Sequence, residues 1–161
     1  MKQILIVDDD VTVLRRTEEL VSSLVEDKGA VEILTASLGV EALGIMSYSR
    51  IDLLITDYSM PVLDGLELIA QLHDRLEMRK VLLTFSLPGI RDRMRIAEVG
   101  VDEIFLKPVD EFRLKKVLHR CLWTSRTINE RGVSNSENSR KNRIRRRTKS
   151  ENCAYKRITT T

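Results

Sequence analysis

Five short apolar runs, QILIVD, VEILTA, DLLITD, KVLLTFS and DEIFLKP, are spread between residues 3 and 108. Runs of this length that are apolar nearly throughout read as strands covered on both faces. The stretches between them carry apolar residues at helical spacing. Val11 to Val25 places them at 11, 14, 20, 21, 24 and 25. GVEALGIM opens a second helix, with Ser37 at its cap. LDGLELIAQLHDRL reads as a third, with Leu66, Ile69 and either Leu72 or Leu76 on one side. IRDRMRIAEVG is a fourth, ending at a glycine as helices often do. DEFRLKKVLHRCLW is a fifth, with Phe112, Val117 or Leu118, and Leu122 inward. Strand–helix alternation of this kind predicts an α/β fold: a doubly wound, five-stranded parallel sheet with five flanking helices and right-handed crossovers.

Ligands of such sheets bind at the carboxyl ends of the strands, so what stands there matters. The first strand ends in Asp8-Asp9-Asp10, the third in Asp57, the fourth in Thr84-Phe85-Ser86 and the fifth in Lys107-Pro108. The second ends in Thr35-Ala36-Ser37, a turn and a helix cap. In a parallel sheet these ends share one edge, so several carboxylates, a hydroxyl and an ammonium converge. Carboxylates that close do not all stay ionised without a cation. Oxygen donors suit a hard ion, and Mg²⁺ typically takes one or two carboxylates with water and phosphate oxygens. A carboxylate there is a nucleophile toward phosphorus, with Lys107 and Thr84 placed to bind phosphoryl oxygens. The constellation reads as an acyl-phosphate site on aspartate. Asp10 reads as an acid at the start of the first helix, where the dipole favours it. Asp64 reads as a turn or cap acid, and His73 and His119 as surface residues.

ILIVDDD, DLLITDYSMPVLDGLEL, VLLTFS and GVDEIFLKP, taken together, resemble the receiver domain of two-component response regulators over residues 3–123. The resemblance implies a flavodoxin-like sheet of order 2-1-3-4-5. It implies Mg²⁺-dependent phosphorylation of Asp57 by a histidine kinase or histidine phosphotransfer protein, and signalling to a downstream protein target. Asp9 corresponds to a direct Mg²⁺ ligand, Asp8 to one acting largely through water, and the main-chain carbonyl of Ser59 to a further ligand. Lys107 corresponds to the family's lysine, and Lys107–Pro108 to its cis peptide. The switch hydroxyl is Thr84 when aligned from Asp57, with Ser86 as the alternative. Counted back from Lys107 the position falls on Phe85, which has no hydroxyl. The residue after the hydroxyl is usually small in this family, and here it is Phe85. The aromatic switch is displaced: Ile104 stands three residues before the lysine, and Phe105 follows on the opposite face. The expected chemistry is self-directed, phosphorylation and dephosphorylation of Asp57, rather than that of an enzyme with turnover.

Charge divides the chain. Residues 126–161 hold 11 Lys/Arg and 3 Asp/Glu, and the rest of the protein holds 16 and 21. The expected organisation is a receiver domain over residues 1–124 and a basic polar tail over 125–161, too poor in large apolar residues to order itself. Arg140 to Lys149 carries seven basic residues in ten, a composition suited to nucleic acid or acidic lipid, although a solvated extension is favoured. Cys121 and Cys153 form no CxxC or Cys/His cluster, so neither a disulfide framework nor a zinc site is expected. No apolar run approaches the about 18 residues of a membrane span, and the first apolar run is too short for a signal peptide. A cytoplasmic location is expected. A nucleic-acid-binding regulator, a phosphorylation-independent interaction module and a metal-dependent phosphatase are the rival readings.

Overall fold

The computed structural model describes residues 1–123. Five strands, β1 (Lys2–Val7), β2 (Val31–Ala36), β3 (Leu53–Asp57), β4 (Arg79–Thr84) and β5 (Glu103–Leu106), alternate with α1 (Val11–Leu24), α2 (Gly39–Tyr48), α3 (Gly65–Ala70), α4 (Ile90–Val99) and α5 (Glu111–Trp123). The sheet has the order β2-β1-β3-β4-β5, and every neighbouring pair is parallel. The expected fold is found. The expected boundary at residue 124 and the basic tail lie outside the described residues. No helix among the described residues is long and apolar enough to cross a membrane.

Alternation along the strands divides the core. Ile4, Ile6, Leu53, Ile55, Val81, Leu83 and Phe105 pack with Leu14 and Val21 of α1 and with Leu114, Val117, Leu118 and Leu122 of α5. Leu5, Val7, Leu54 and Leu82 face the other way, against Ala42 and Met46 of α2, Leu66 and Ile69 of α3, and Ile96 of α4. Both faces are therefore apolar, as a parallel sheet requires. α4 closes on Gly100 in the left-handed region, φ 75°.

Three expectations about the helices need correction. Phe112 is not inward: it is 71% exposed, beneath the Lys116 ammonium at 4.1 Å. It precedes Leu114 by two residues, about 200° around the helix from the buried stripe. α3 stops at Ala70 and gives way to turns in which Leu72, Arg75 and Met78 donate three residues back. These turns bury Leu72 and leave Leu76 exposed. Ser37 is not the cap of α2. Leu38 holds that position without a side-chain bond, while the Ser37 amide and hydroxyl donate to Glu41 at 2.8 and 3.1 Å.

One backbone position is strained. Val62, in the β3–α3 loop, has φ 70° and is 87% exposed. A β-branched residue gains nothing there that offsets the clash of its Cβ with the following carbonyl. Val62→Asn is expected to raise the unfolding free energy by about 1 kcal/mol, read as a higher urea midpoint. An unchanged or lower midpoint would show that the loop holds this conformation without strain.

At the sheet edge, Glu103 accepts from Arg113 at 2.9 Å and from Arg120. Burial alone would raise the Glu103 carboxyl, but the two guanidiniums override it and lower it below its ordinary value of 4.5. A lowered folded-state value means that the pair stabilises above pH 4.5 and that this contribution fades as pH falls through the folded value. Wild-type protein should therefore lose its stability advantage over Glu103→Gln on acidification below about pH 4.5, a crossover that paired urea titrations would detect.

Candidate functional site

The topology sets the site before any side chain is considered. β1 and β3 are neighbours, with Val7 level with Thr56, so one further residue brings Asp8 level with Asp57. They flank the point where the strand order reverses, the place where open α/β sheets bind ligands. β5 lies beyond β4, and Lys107 follows its last residue, held by its amide donating to the Thr84 carbonyl at 2.8 Å.

The side chains meet. The Lys107 ammonium donates to Asp8 Oδ2 at 2.6 Å and lies 2.7 Å from Asp57 Oδ1. All three groups are nearly enclosed: Asp8 is 2% exposed, Asp57 4%, and the Lys107 side chain 7%. Each carboxylate is also fixed by main chain. The Asp10 amide donates to Asp8 Oδ1 at 3.0 Å, and the Ser59 amide to Asp57 Oδ2 at 2.9 Å. Asp57 Oδ1 is buried and receives no aligned hydrogen bond, its contact with Lys107 being an ion pair.

Burial disfavours the charged forms, and the contacts oppose it. Desolvation raises Asp8 despite the hydrogen bond from Lys107. For Lys107 burial pulls downward, but Asp57 and Asp8 outweigh it and hold the ammonium above its ordinary value. The lysine is therefore charged throughout the physiological range.

The other expected residues are placed as follows. Asp9 is exposed beside Asp8, at the rim. Asp10 caps α1, accepting from the Thr12 and Val13 amides, and these bonds lower its carboxyl. Ser59 is exposed, and its amide rather than its carbonyl is the group seen to act on Asp57. Thr84 is buried at the end of β4, its hydroxyl donating to the Ser86 carbonyl at 3.0 Å, while Ser86 itself is exposed. Phe105 is 1% exposed in the core on the α1/α5 side, with the Arg113 guanidinium over its ring at 4.4 Å. Ile104 lies on the opposite face, as alternation requires. Lys107–Pro108 is cis, and Asp64 caps α3 in a reciprocal pair with Glu67.

Two contacts were missed from sequence. The Phe85 ring stands over the Lys107 ammonium, 4.7 Å from centroid to nitrogen. Gly65 lies against the backbone of Asp57: an added Cβ would stand 2.0 Å from the Asp57 carbonyl oxygen. The signal for Gly65 was its place in LDG after the strand, but nothing in that triplet gives the distance.

Among the described residues, no three acidic, histidine or cysteine side chains converge as a ready metal cage. Mg²⁺ asks for less, keeping water and phosphate oxygens in its shell. The two buried carboxylates of Asp8 and Asp57 and a third, Asp9, at the rim make an oxygen donor set of that kind.

Residues 4–119 match the family model described as the response regulator receiver domain. The chain belongs to this family. Over 125 residues it is 34% identical to the Regulator of RpoS from Escherichia coli K12, covering 77% of this chain and 36% of that protein. It is 32% identical over 123 residues to the probable transcriptional regulator ycf27 of Cyanophora paradoxa, covering 74% and 49%. The chain thus spans about a third to a half of these relatives. Among solved structures, the chemotaxis protein CheY4 of Vibrio cholerae superposes with a TM-score of 0.65 at 26% identity, covering 76% of this chain and 99% of that one. A receiver domain from Clostridium thermocellum gives 0.64 at 27% identity, covering 75% and 94%.

Gly65 supplies a test of how rigidly this receiver holds its aspartate. Gly65→Ala must move backbone rather than a flexible side chain, and is expected to lower stability by about 2 kcal/mol. Gly44→Ala, in the middle of α2 with nothing within 4 Å of the added Cβ, should instead raise it by about 1 kcal/mol. Equal effects in urea unfolding would contradict the packing described.

Proposed function

We propose that this receiver accepts a phosphoryl group on Asp57 from a phosphohistidine of a histidine kinase or phosphotransfer protein, and signals through contacts with a protein target. The observation that supports it is the ammonium of Lys107 held between two buried carboxylates, 2.6 Å from Asp8 Oδ2 and 2.7 Å from Asp57 Oδ1. Ser59 fixes the other oxygen and so orients the carboxylate. An Asp57 oxygen attacks phosphorus, a new O–P bond forms, and the P–N bond breaks with its electron pair passing to the imidazole. Lys107 is placed to bind a phosphoryl oxygen as charge accumulates. Mg²⁺, held by Asp8, Asp9, Asp57 and the Ser59 main chain, would supply charge neutralisation for that phosphoryl group. The chemistry begins and ends on the protein's own aspartate, and no substrate is turned over. A cytoplasmic site of action follows from such partners.

A second reading, a module that binds its partner whether or not it is phosphorylated, draws on two features. The Thr84 hydroxyl is engaged by the Ser86 carbonyl, and Ile104 replaces the aromatic residue of the usual switch. In that case Asp57→Asn leaves partner binding unchanged.

Incubation with acetyl phosphate and Mg²⁺, followed by intact-mass measurement, is expected to show a gain of one phosphoryl group. The gain should be absent in Asp57→Asn and on chelation of magnesium. Lys107→Ala should slow it about a hundredfold. Phosphoryl gain by Asp57→Asn equal to wild type would remove Asp57 from the role.

A further inference from the structure

Phe85 lies against the charged centre through Lys107, and it is 74% exposed. An exposed aromatic ring of this kind has little packing to hold it. What it does have is the Lys107 ammonium 4.7 Å from its centroid. Attraction between an ammonium and a ring face is greatest where the cation is desolvated, and the Lys107 side chain is 7% exposed. The contact is therefore mutual: the ring shields the ammonium, and the ammonium holds the ring. The same ring forms one wall of a groove of about 520 Å3 that runs past Lys107 between Val13, Thr17 and Leu20 of α1 and Pro108 and Val109 after β5. This groove offers the ring apolar surface to move along when it leaves the lysine.

We propose that Phe85 is a specificity-determining cover of the phosphoacceptor site. Held over Lys107 by the ring–ammonium contact, it restricts small phosphoryl donors and water, and yields to a donor histidine carried on a protein surface that displaces it. The proposal rests on the phosphoacceptor reading of Asp57. With acetyl phosphate, an Asp57 oxygen bonds to phosphorus and acetate leaves with the electron pair of the broken P–O bond. In the return reaction, water bonds to phosphorus and the Asp57 carboxylate leaves, releasing inorganic phosphate. Both reactions occur at Asp57, whose Oδ1 is 2.7 Å from the ammonium over which the ring stands.

The test uses the full chain and its Phe85→Ala, Phe85→Leu and Phe85→Tyr variants. Leu keeps bulk without a ring face, and Tyr keeps the ring. Rates of phosphoryl gain from acetyl phosphate with Mg²⁺, and of loss after the donor is removed, are followed by intact mass. Separately, reductive methylation of Lys107 is measured against that of Lys115 by peptide mass spectrometry, which needs no phosphorylation. Phe85→Ala and Phe85→Leu are expected to raise phosphoryl gain, loss and Lys107 methylation each by about fivefold, the change in open fraction that losing one such contact gives. Phe85→Tyr should restore wild-type values. Unchanged Lys107 methylation in all variants, or Leu behaving like Phe, overturns the cover. Raised methylation with unaltered phosphoryl rates overturns its role in donor selection while leaving Asp57 as acceptor. Raised methylation with no phosphoryl gain in any protein, wild type included, overturns the acceptor reading and the selection role with it.

Discussion

Two carboxylates on adjacent strand ends repel each other, and both are removed from water here. The ammonium of Lys107 between Asp8 and Asp57 offsets both the repulsion and the loss of water. Removing one member of a buried ionic set typically costs about 3–5 kcal/mol, because the remaining charge is left uncompensated. The set is a poor device for stability alone, since well-packed apolar residues would do as well. Its value is positional: it fixes one aspartate oxygen against the Lys107 ammonium at the edge of the sheet where ligands bind.

That set depends on the sheet. β3 and β5 are separated by β4, which at strand spacing is about 10 Å across. Only a long side chain spans it, and lysine ends in a compact charge able to meet two separate oxygens. The reach also depends on where β5 stops. The Lys107 amide bonds the Thr84 carbonyl, so the end of β4 sets the height from which the lysine starts. The loop after Asp57 is fixed in turn by Gly65 against the Asp57 carbonyl, and by the Gly65 amide donating to Tyr58 at 3.1 Å. A slip of one residue in β3, β4 or β5 would turn its terminal side chain to the other face.

The sheet and the convergence of Asp8, Asp57 and Lys107 were legible because they follow from periodicity and from what stands at strand ends. Both signals survive without knowledge of contacts. The length of α3 was not legible: LELIAQLHDRL keeps helical spacing to Leu76, but the chain leaves the α-helix after Ala70 in tighter turns that still bury Leu72. Phe112 was misplaced for a related reason. Hydrophobicity suggested burial, whereas the helical angle set by Leu114, Val117, Leu118 and Leu122 leaves it outside. The strain at Val62 and the ring over Lys107 are matters of backbone angle and loop path. A sequence carries such information only as an unusual residue in a familiar place, as Phe85 and Val62 both are.

After β4 the residue that follows Thr84 is a large ring, Phe85. Thr84 ends the strand, buried, with its hydroxyl donating to the Ser86 carbonyl, so the loop folds back on the strand end. Phe85 then has no inward place to go, and it emerges over the lysine. Phe105, the nearest aromatic in β5, is committed to the core on the α1/α5 side, with Arg113 and the Glu103 pair closing over it. A rotation of that ring would open the core rather than report on the site. The exposed side chains of Phe85 and Leu87 follow Thr84 and precede the start of α4 at Ile90. On the proposed reading, the ring that covers the site and the segment leading to α4 are one stretch of chain, 84–88, so access and output are coupled by covalent continuity.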